Sequence, residues 1–487
     1  MGLKGSFPLW PSLEVRLTPL PYHIDSAELF EVIADEPWAV FLDSGRPRSH
    51  AGRFDILAAR PFITLVTRGS LTEIRQADSV RQAADDPFDL LRQYLAADFA
   101  ATPMPFCGGA IGYFGYDLAR RIEPLPDQIH RAVGESMSSA LPEMAVGIYD
   151  WAVVVDHQQR LSWLVGGERD AATAAIWDDL VALFSQVAGE HPGLSERQPF
   201  QVGEVACSFT PARYRAAFER IQRYIHAGDC YQVNLAQRFS ASVGGDHWLG
   251  FQALRQLNPA PYSAYLNLPE VRVLSSSPER FLELRGGQVT TKPIKGTRPR
   301  AKLPAQDAAL ATELQASEKD RAENLMIVDL LRNDLGKVCQ PGSVAVPGLF
   351  EIESFASVHP LVSTVTGRLA PDCDAIDLLR AAFPGGSITG APKLRAMQII
   401  EELESHRRGI YCGAIGWLGF NGDMDSNIAI RTLVSAQDEL HFWAGGGIVA
   451  DSQVDAELQE CFDKAAALLR WAGIFGGVFH PLINKKD

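Results

Sequence analysis

Cysteine is scarce in this chain: seven in 487 residues, at 107, 207, 230, 339, 373, 412 and 461, with no CxxC pair. An odd, scattered set fits reduced thiols and argues against a disulfide framework. The eleven histidines form no HExxH and no other zinc spacing. No run approaches the roughly 18 consecutive apolar residues of a membrane helix. A secretory leader pattern is also missing. Residues 1–6 (MGLKGS) meet a loose lipidation pattern, which short sequences often meet by chance. Basic charge is in deficit, 45 Lys and Arg against 59 Asp and Glu, for a formal net charge of −14. A general nucleic-acid binder needs a basic footprint. The expectation is a cytoplasmic protein that engages neither nucleic acid nor membrane.

What is present is ordinary globular composition, 46% hydrophobic and 21% charged. The first 165 residues alternate in strand-like runs (38–43, 53–67, 111–116, 146–157, 161–165), with helical stretches at 26–34 and 89–97. A helical pattern over 171–188 ends in GEHPG (189–193), and the polar stretch to Gly203 reads as a boundary. Beyond it Thr210 and Pro211 open a helix through 226, with Tyr214, Phe218, Ile221 and Ile225 on one face. Strands follow at 232–240, 262–266 and 271–276, then a hairpin around Gly286 and Gly287. The last third reads strand (361–366), helix (392–403), three strands within 413–449, and helix (452–472). Hairpin spacing with separate helices predicts an α+β fold with mainly antiparallel sheets.

Several stretches carry chemistry. Residues 290–300 (TTKPIKGTRPR) read as a strand ending at Pro293 and a turn at Gly296 and Thr297. Lys295 stands between them, as salt-bridge partner, phosphate clamp or nucleophile. Residues 318–335 read as an amphipathic helix with Leu325, Val328, Leu331 and Leu335 on the apolar face. Asp320, Glu323 and Ile327 follow an adjoining stripe. Glu323 is placed to pair with Lys319 or Arg321. Glu457, Glu460 and Lys464 make a charged stripe on the final helix. Two helices with carboxylates at a core border also suit a hard cation such as Mg²⁺. The glycine-rich 384–393 feeds a helix N-terminus that suits an anion, or is a tight turn capped by Thr389. Gly445, Gly446 and Gly447 end a strand and allow close approach to the backbone. Tyr411 and Arg431 are expected on meander strands, and a buried Arg431 needs a carboxylate partner.

Six of these segments, SSSPERF (275–281), PIKGTRPR (293–300), DRAENLMIVDLLRNDL (320–335), FPGGSITGAPK (383–393), IAIRTL (428–433) and GGGIVADS (445–452), resemble the chorismate-utilising enzymes. That resemblance implies two mainly antiparallel β-sheets packed face to face with helices outside. It divides the chain into an N-terminal region (1–203), a chorismate-binding catalytic region (204–475) and a tail (476–487). Lysine in PIKGT resembles the aminodeoxychorismate synthase component I branch, where anthranilate synthases usually carry alanine. The implied reaction makes 4-amino-4-deoxychorismate from chorismate and ammonia, with Lys295 attacking ring C2 and Glu279 as general acid. The alternatives are an anthranilate synthase component I and a non-catalytic chorismate-binding partner of a glutaminase.

The resemblance also implies Glu323 and Glu460 as Mg²⁺ ligands, with Asp320 and Glu457 in an outer shell. Gly296 and Thr297 would line the ring, and Tyr411, Arg431 and Gly445, Gly446 and Gly447 would hold the enolpyruvyl carboxylate. Ser44, Arg53, Phe54, Pro261, Tyr262 and Ser263 match the family's tryptophan-binding region. One departure is Pro360, where the family often has histidine; His359 lies one place earlier. Pro360 removes a ladder donor, which implies an edge or a bulge. The chain has no Gly-x-Cys-x-Gly turn: the nearest stretch, at Cys230, lacks the second glycine. Ammonia from glutamine would therefore need a separate glutamine amidotransferase subunit (component II).

Overall fold

The computed structural model describes residues 15–49, 52–95, 104–126, 141–187, 197–354 and 358–480. The lipidation-like residues 1–6, the stretch 189–193 and the end of the tail lie outside them.

Runs of β-branched and aromatic residues broken by Gly, Pro and Asp become strands that assemble into two sheets, of 13 and 12 strands. Their ladders are antiparallel. Successive side chains of a strand face opposite ways, and the packing follows that period of two. Val40, Ile56, Val154, Leu266 and Val434 of the larger sheet meet Leu65, Val146, Leu282 and Ile415 of the smaller in one buried core. Their neighbours Phe41, Leu57, Val153, Tyr265 and Leu433 turn outward, under helices His247–Leu257 and Val454–Ile474. This is the α+β architecture of two face-to-face antiparallel sheets with outer helices.

Strands from both sides of residue 203 share each sheet. Ala39–Asp43 pairs with Tyr262–Asn267 in one. Gly109–Phe114 pairs with Ala414–Gly419 in the other.

The chain repeatedly steps from one sheet to the other, and several long runs expected as single strands divide at these steps. The 53–67 run becomes Phe54–Ala58 and Ile63–Arg68, and the 146–157 run becomes Met144–Tyr149 and Trp151–Asp156, one strand in each sheet. The chain takes the same step at Pro278 and Glu279, between Arg272–Ser277 and Arg280–Arg285. Within 413–449 four strands form where three were expected, because the crossing around Arg431 separates Met424–Ile428 in one sheet from Thr432–Ala436 in the other. Hydrophobic content alone does not mark such a step, because residues on both sides of it are buried.

Other expectations changed in detail. Arg431 lies in one of these crossings and Tyr411 in the turn before Ala414–Gly419, so neither is on a strand. The 171–188 helix breaks at Ile176 into Ala171–Ala175 and Trp177–Ser185, and the 26–34 helix shortens to Ala27–Phe30. On helix Glu318–Gly336 the buried side is Asn324, Ile327, Val328, Leu331 and Leu335, whereas Leu325 is 47% exposed. Leu325 sits one residue, about 100°, round the helix from Asn324, which the core takes instead. Asn324 Oδ1 there accepts from Ser363 Oγ. The helix over Pro211–His226 forms as expected, with Thr210 capping Arg213 N. Gly286 and Gly287, both at positive φ, turn the expected hairpin.

Candidate active site

Lys295 is carried on strand Ile294–Pro299, which pairs with Val358–Arg368. The expected turn at Gly296 is instead a β-bulge. Register shifts between the pairs Ile294 with Val362 and Thr297 with Pro360, leaving Lys295 and Gly296 between them. Pro360 therefore sits beside the bulge, where its missing donor is tolerated. His359 faces Asp307 Oδ1 at 2.9 Å and Ser354 Oγ at 2.8 Å. Gly296 has φ +74°, and a Cβ there would stand 2.5 Å from Asp320 Oδ1. Both the conformation and the space call for glycine.

The bulge aims Lys295 Nζ at the glycine-rich turn, where it donates to Ser387 O at 3.1 Å. Ser387 lies in the short 3₁₀ turn Gly386–Ile388. Its hydroxyl donates to Glu279 Oε1 at 2.8 Å. Glu279 occupies the crossing between Arg272–Ser277 and Arg280–Arg285 and is buried. Burial raises its pKa, against the Ser387 hydrogen bond and the charge of Lys295. Lys295 moves the opposite way: burial lowers its pKa, Lys464 adds to that, and Glu323, Glu279 and Glu460 oppose it. Each group is thus pushed toward its neutral form.

The crossing at Glu279 lies beside the crossing at Arg431. Ile428 N donates to Glu279 O, and Ser276 N donates to Arg431 O. Arg431 adopts φ +50°, and burial lowers its pKa. Among the described residues its guanidinium makes no ion pair or hydrogen bond. Cys412 N donates to Ala429 O, which brings the Tyr411 turn alongside. The Tyr411 ring is stacked on Trp443, with centroids 5.8 Å apart.

A glycine strip closes the site. Strand Glu439–Ile448 pairs with Gln232–Gly244, setting Gly445, Gly446 and Gly447 opposite Ala236, Leu235 and Asn234. A Cβ at Gly447 would meet Gln232 Nε2 and Asn234 Oδ1; without one, Asn234 Nδ2 reaches Ser387 O at 3.0 Å. A Cβ at Gly446 would stand 3.1 Å from Glu457 Oε2 and 3.6 Å from Glu460 Oε1.

Glu323 lies 3.9 Å from Lys319, so the expected helix-surface pair is present but loose. Burial raises its pKa; Lys295 and Lys319 draw it down, and Glu460 and Asp320 push it up. Burial also acts upward on Glu460, but Lys464, 2.7 Å away, together with Lys319 and Lys295 outweighs it and leaves the pKa lowered. Glu457 is buried and accepts from Ser452 Oγ at 2.6 Å. Asp320 is bonded by Arg298 at 3.4 Å, and Thr297 is exposed. Among the described residues, no three His, Cys, Asp or Glu side chains are grouped closely enough to hold a metal ion as they stand.

Ser44, Arg53, Phe54, Pro261, Tyr262 and Ser263 come together around a separate cavity of about 630 Å³ between the sheets. Pro278, Arg280 and Ile294 also line it. They are the chain neighbours of Glu279 and Lys295, so the two sites back onto the same strands. Ser387 was legible only as part of a turn, and Asn234 carried no signal at all: a lone Ser or Asn has no spacing to read.

Among the described residues no helix is long and apolar enough to cross a membrane. The chain is 49% identical to aminodeoxychorismate synthase component 1 of Klebsiella aerogenes, over 94% of this chain and 99% of that protein. Its fold superposes on anthranilate synthase component I of Streptococcus pneumoniae TIGR4 with TM-score 0.74. The two are 33% identical, over 85% of this chain and 91% of that one. The menaquinone-specific isochorismate synthase of Escherichia coli shares the fold at TM-score 0.70 and 18% identity, over 96% and 97% of the two chains. The motifs that meet at Lys295 all fall within residues 42–470, which match the family described as chorismate binding enzyme, and the chain belongs to that family.

Proposed function

We propose that this chain converts chorismate and ammonia to 4-amino-4-deoxychorismate, as component 1 of an aminodeoxychorismate synthase. The observation that carries the reading is the meeting of Lys295 and Glu279 at Ser387, a lysine pushed toward its amine and a carboxyl pushed toward its acid. The Lys295 amine attacks ring C2 of chorismate. The ring double bonds shift, and the C4 hydroxyl leaves as water with the Glu279 proton. Ammonia then attacks C4, the shift reverses, and the Lys295 C2–N bond breaks. Glu279 takes back the proton that the ammonium nitrogen gives up. Both residues end as they began.

The substrate is a dianion, and the groups around the site suit one. Unpartnered Arg431, in its crossing beside Tyr411, is placed for the enolpyruvyl carboxylate, with the glycine strip allowing close approach. Mg²⁺ keeps several waters and needs only one or two carboxylates. The mutual repulsion of Glu323 and Glu460, and the space Gly446 leaves beside Glu457 and Glu460, fit that ion. Glu323 and Glu460 would hold it, with Asp320 and Glu457 behind them. The bound ion would supply a dication for the ring carboxylate.

Ammonia would come from a separate glutamine amidotransferase. Cys230 is only 2% exposed and burial raises its pKa, the opposite of an activated thiolate. The inter-sheet cavity, with its serines, arginines and aromatic walls, would take a structural or regulatory amino acid such as tryptophan.

Incubation with chorismate, ammonium and Mg²⁺ tests the reading. The expected product is 4-amino-4-deoxychorismate. Anthranilate and pyruvate would overturn it in favour of the activity named for the Streptococcus pneumoniae relative. Chorismate binding without turnover at saturating ammonium would favour a non-catalytic partner of a glutaminase.

A further inference from the structure

Ser387 holds both reacting side chains through two different atoms. Its main-chain carbonyl accepts from Lys295 Nζ at 3.1 Å, and its hydroxyl donates to Glu279 Oε1 at 2.8 Å. We propose that Ser387 is the positioning residue of this site, a clasp that sets the lysine lone pair and the Glu279 carboxyl in one fixed relation. The inference rests on the roles of Lys295 and Glu279 proposed above.

The carbonyl arm orients the nucleophile. A neutral amine has two N–H bonds and one lone pair. Directing one N–H at Ser387 O turns the lone pair away from that oxygen, toward the space a substrate enters. The carbonyl is itself fixed by Asn234 Nδ2 at 3.0 Å, from the strand paired with the glycine strip. The next carbonyl, Ile388 O, accepts from Arg408 Nη1 at 2.9 Å. Arg408 is fully buried and locked to Glu404 at 2.7 Å. The turn is therefore braced from two sides, as a positioning element must be.

The hydroxyl arm acts on the acid. Donation to Oε1 favours the charged carboxylate and opposes burial, which favours the acid. It thereby limits how far burial carries Glu279, so that the group gives up its proton to the leaving hydroxyl and recovers it in the same cycle. The groups acting on Glu279 besides Ser387 are Lys295, Lys464 and the Ile294 main chain.

Ser387→Ala removes one arm and leaves the other. In the full chain, kcat with chorismate and ammonium is expected to fall roughly 10- to 100-fold, as for loss of a hydrogen bond to a charged group. The KM for chorismate should change little, because the hydroxyl touches Glu279 and not the substrate. One limb of the pH profile moves to higher pH and the other stays. The carboxylic-acid stretch of Glu279 in difference infrared spectra, assigned by its loss in Glu279→Gln, titrates at higher pH in Ser387→Ala. Ser387→Thr, which keeps the hydroxyl, restores the wild-type midpoint. An unchanged infrared midpoint in Ser387→Ala, or a shift that Ser387→Thr does not reverse, overturns the clasp. Wild-type turnover in both Lys295→Ala and Glu279→Gln would instead overturn the proposed roles, while the infrared titration still reports on the hydrogen bond.

Discussion

At the scale of single residues, the proposed chemistry depends on two groups being neutral together. An ordinary lysine titrates near 10.4 and an ordinary glutamate near 4.3, so at any one pH the amine and the acid almost never coexist. Burial narrows that gap from both sides, lowering Lys295 and raising Glu279. The sign follows directly. The amine fraction grows as pH rises through the Lys295 pKa, and the acid fraction falls as pH rises through the Glu279 pKa. A bell-shaped dependence of kcat/KM is expected. Glu279→Gln should lower ammonia-dependent turnover by about 10²–10⁴-fold, the usual contribution of a general acid. Lys295→Ala should lower it at least as much, and incubation with chorismate in the absence of ammonia should give a covalent adduct by mass spectrometry in the wild type and none in Lys295→Ala.

At the scale of elements, the site is made by irregularity. A bulge aims Lys295, and two side-by-side crossings between sheets carry Glu279 and Arg431. The bulge depends on Gly296, whose φ of +74° and contact with Asp320 leave no room for a side chain. Gly296→Ala should cost roughly 1–3 kcal/mol from the backbone conformation alone. The expected result is a lower midpoint in thermal unfolding together with reduced turnover. A stable, fully active variant would mean that the bulge relaxes without moving Lys295. The motif around Lys295 was legible in the sequence, but the bulge was not, because turn and bulge place the same glycine at the same spacing. The carboxylate stripes of the two helices were legible because charged positions on a regular helix follow its period.

At the scale of the molecule, the segments before and after residue 203 are woven into the same two sheets. Ala39–Asp43 lies between Phe54–Ala58 and Tyr262–Asn267, and Gly109–Phe114 lies between Met144–Tyr149 and Ala414–Gly419. Arg255, beyond residue 203, is buried against Asp25 and Asp43 at 2.7 and 2.8 Å. A fragment starting at residue 204 would expose two strand edges and leave that arginine unpaired, each strongly unfavourable. The fragment is expected to be unfolded by circular dichroism, and the whole chain to unfold in one calorimetric transition. A folded, chorismate-binding fragment would show that the two regions are energetically separable.

The sequence by itself determined the fold class, the family and the chemical vocabulary of the site: strand-forming runs, carboxylates at helical spacing, glycine runs and one lysine in a strand. These are local properties, carried by periodicity and by short motifs. Only the tertiary structure decided where the long apolar runs break between sheets, that Asn324 rather than Leu325 faces the core, and that Ser387 joins Lys295 to Glu279. Each of these depends on which distant segment becomes a neighbour, and contacts spanning roughly a hundred residues leave no period in the chain to read.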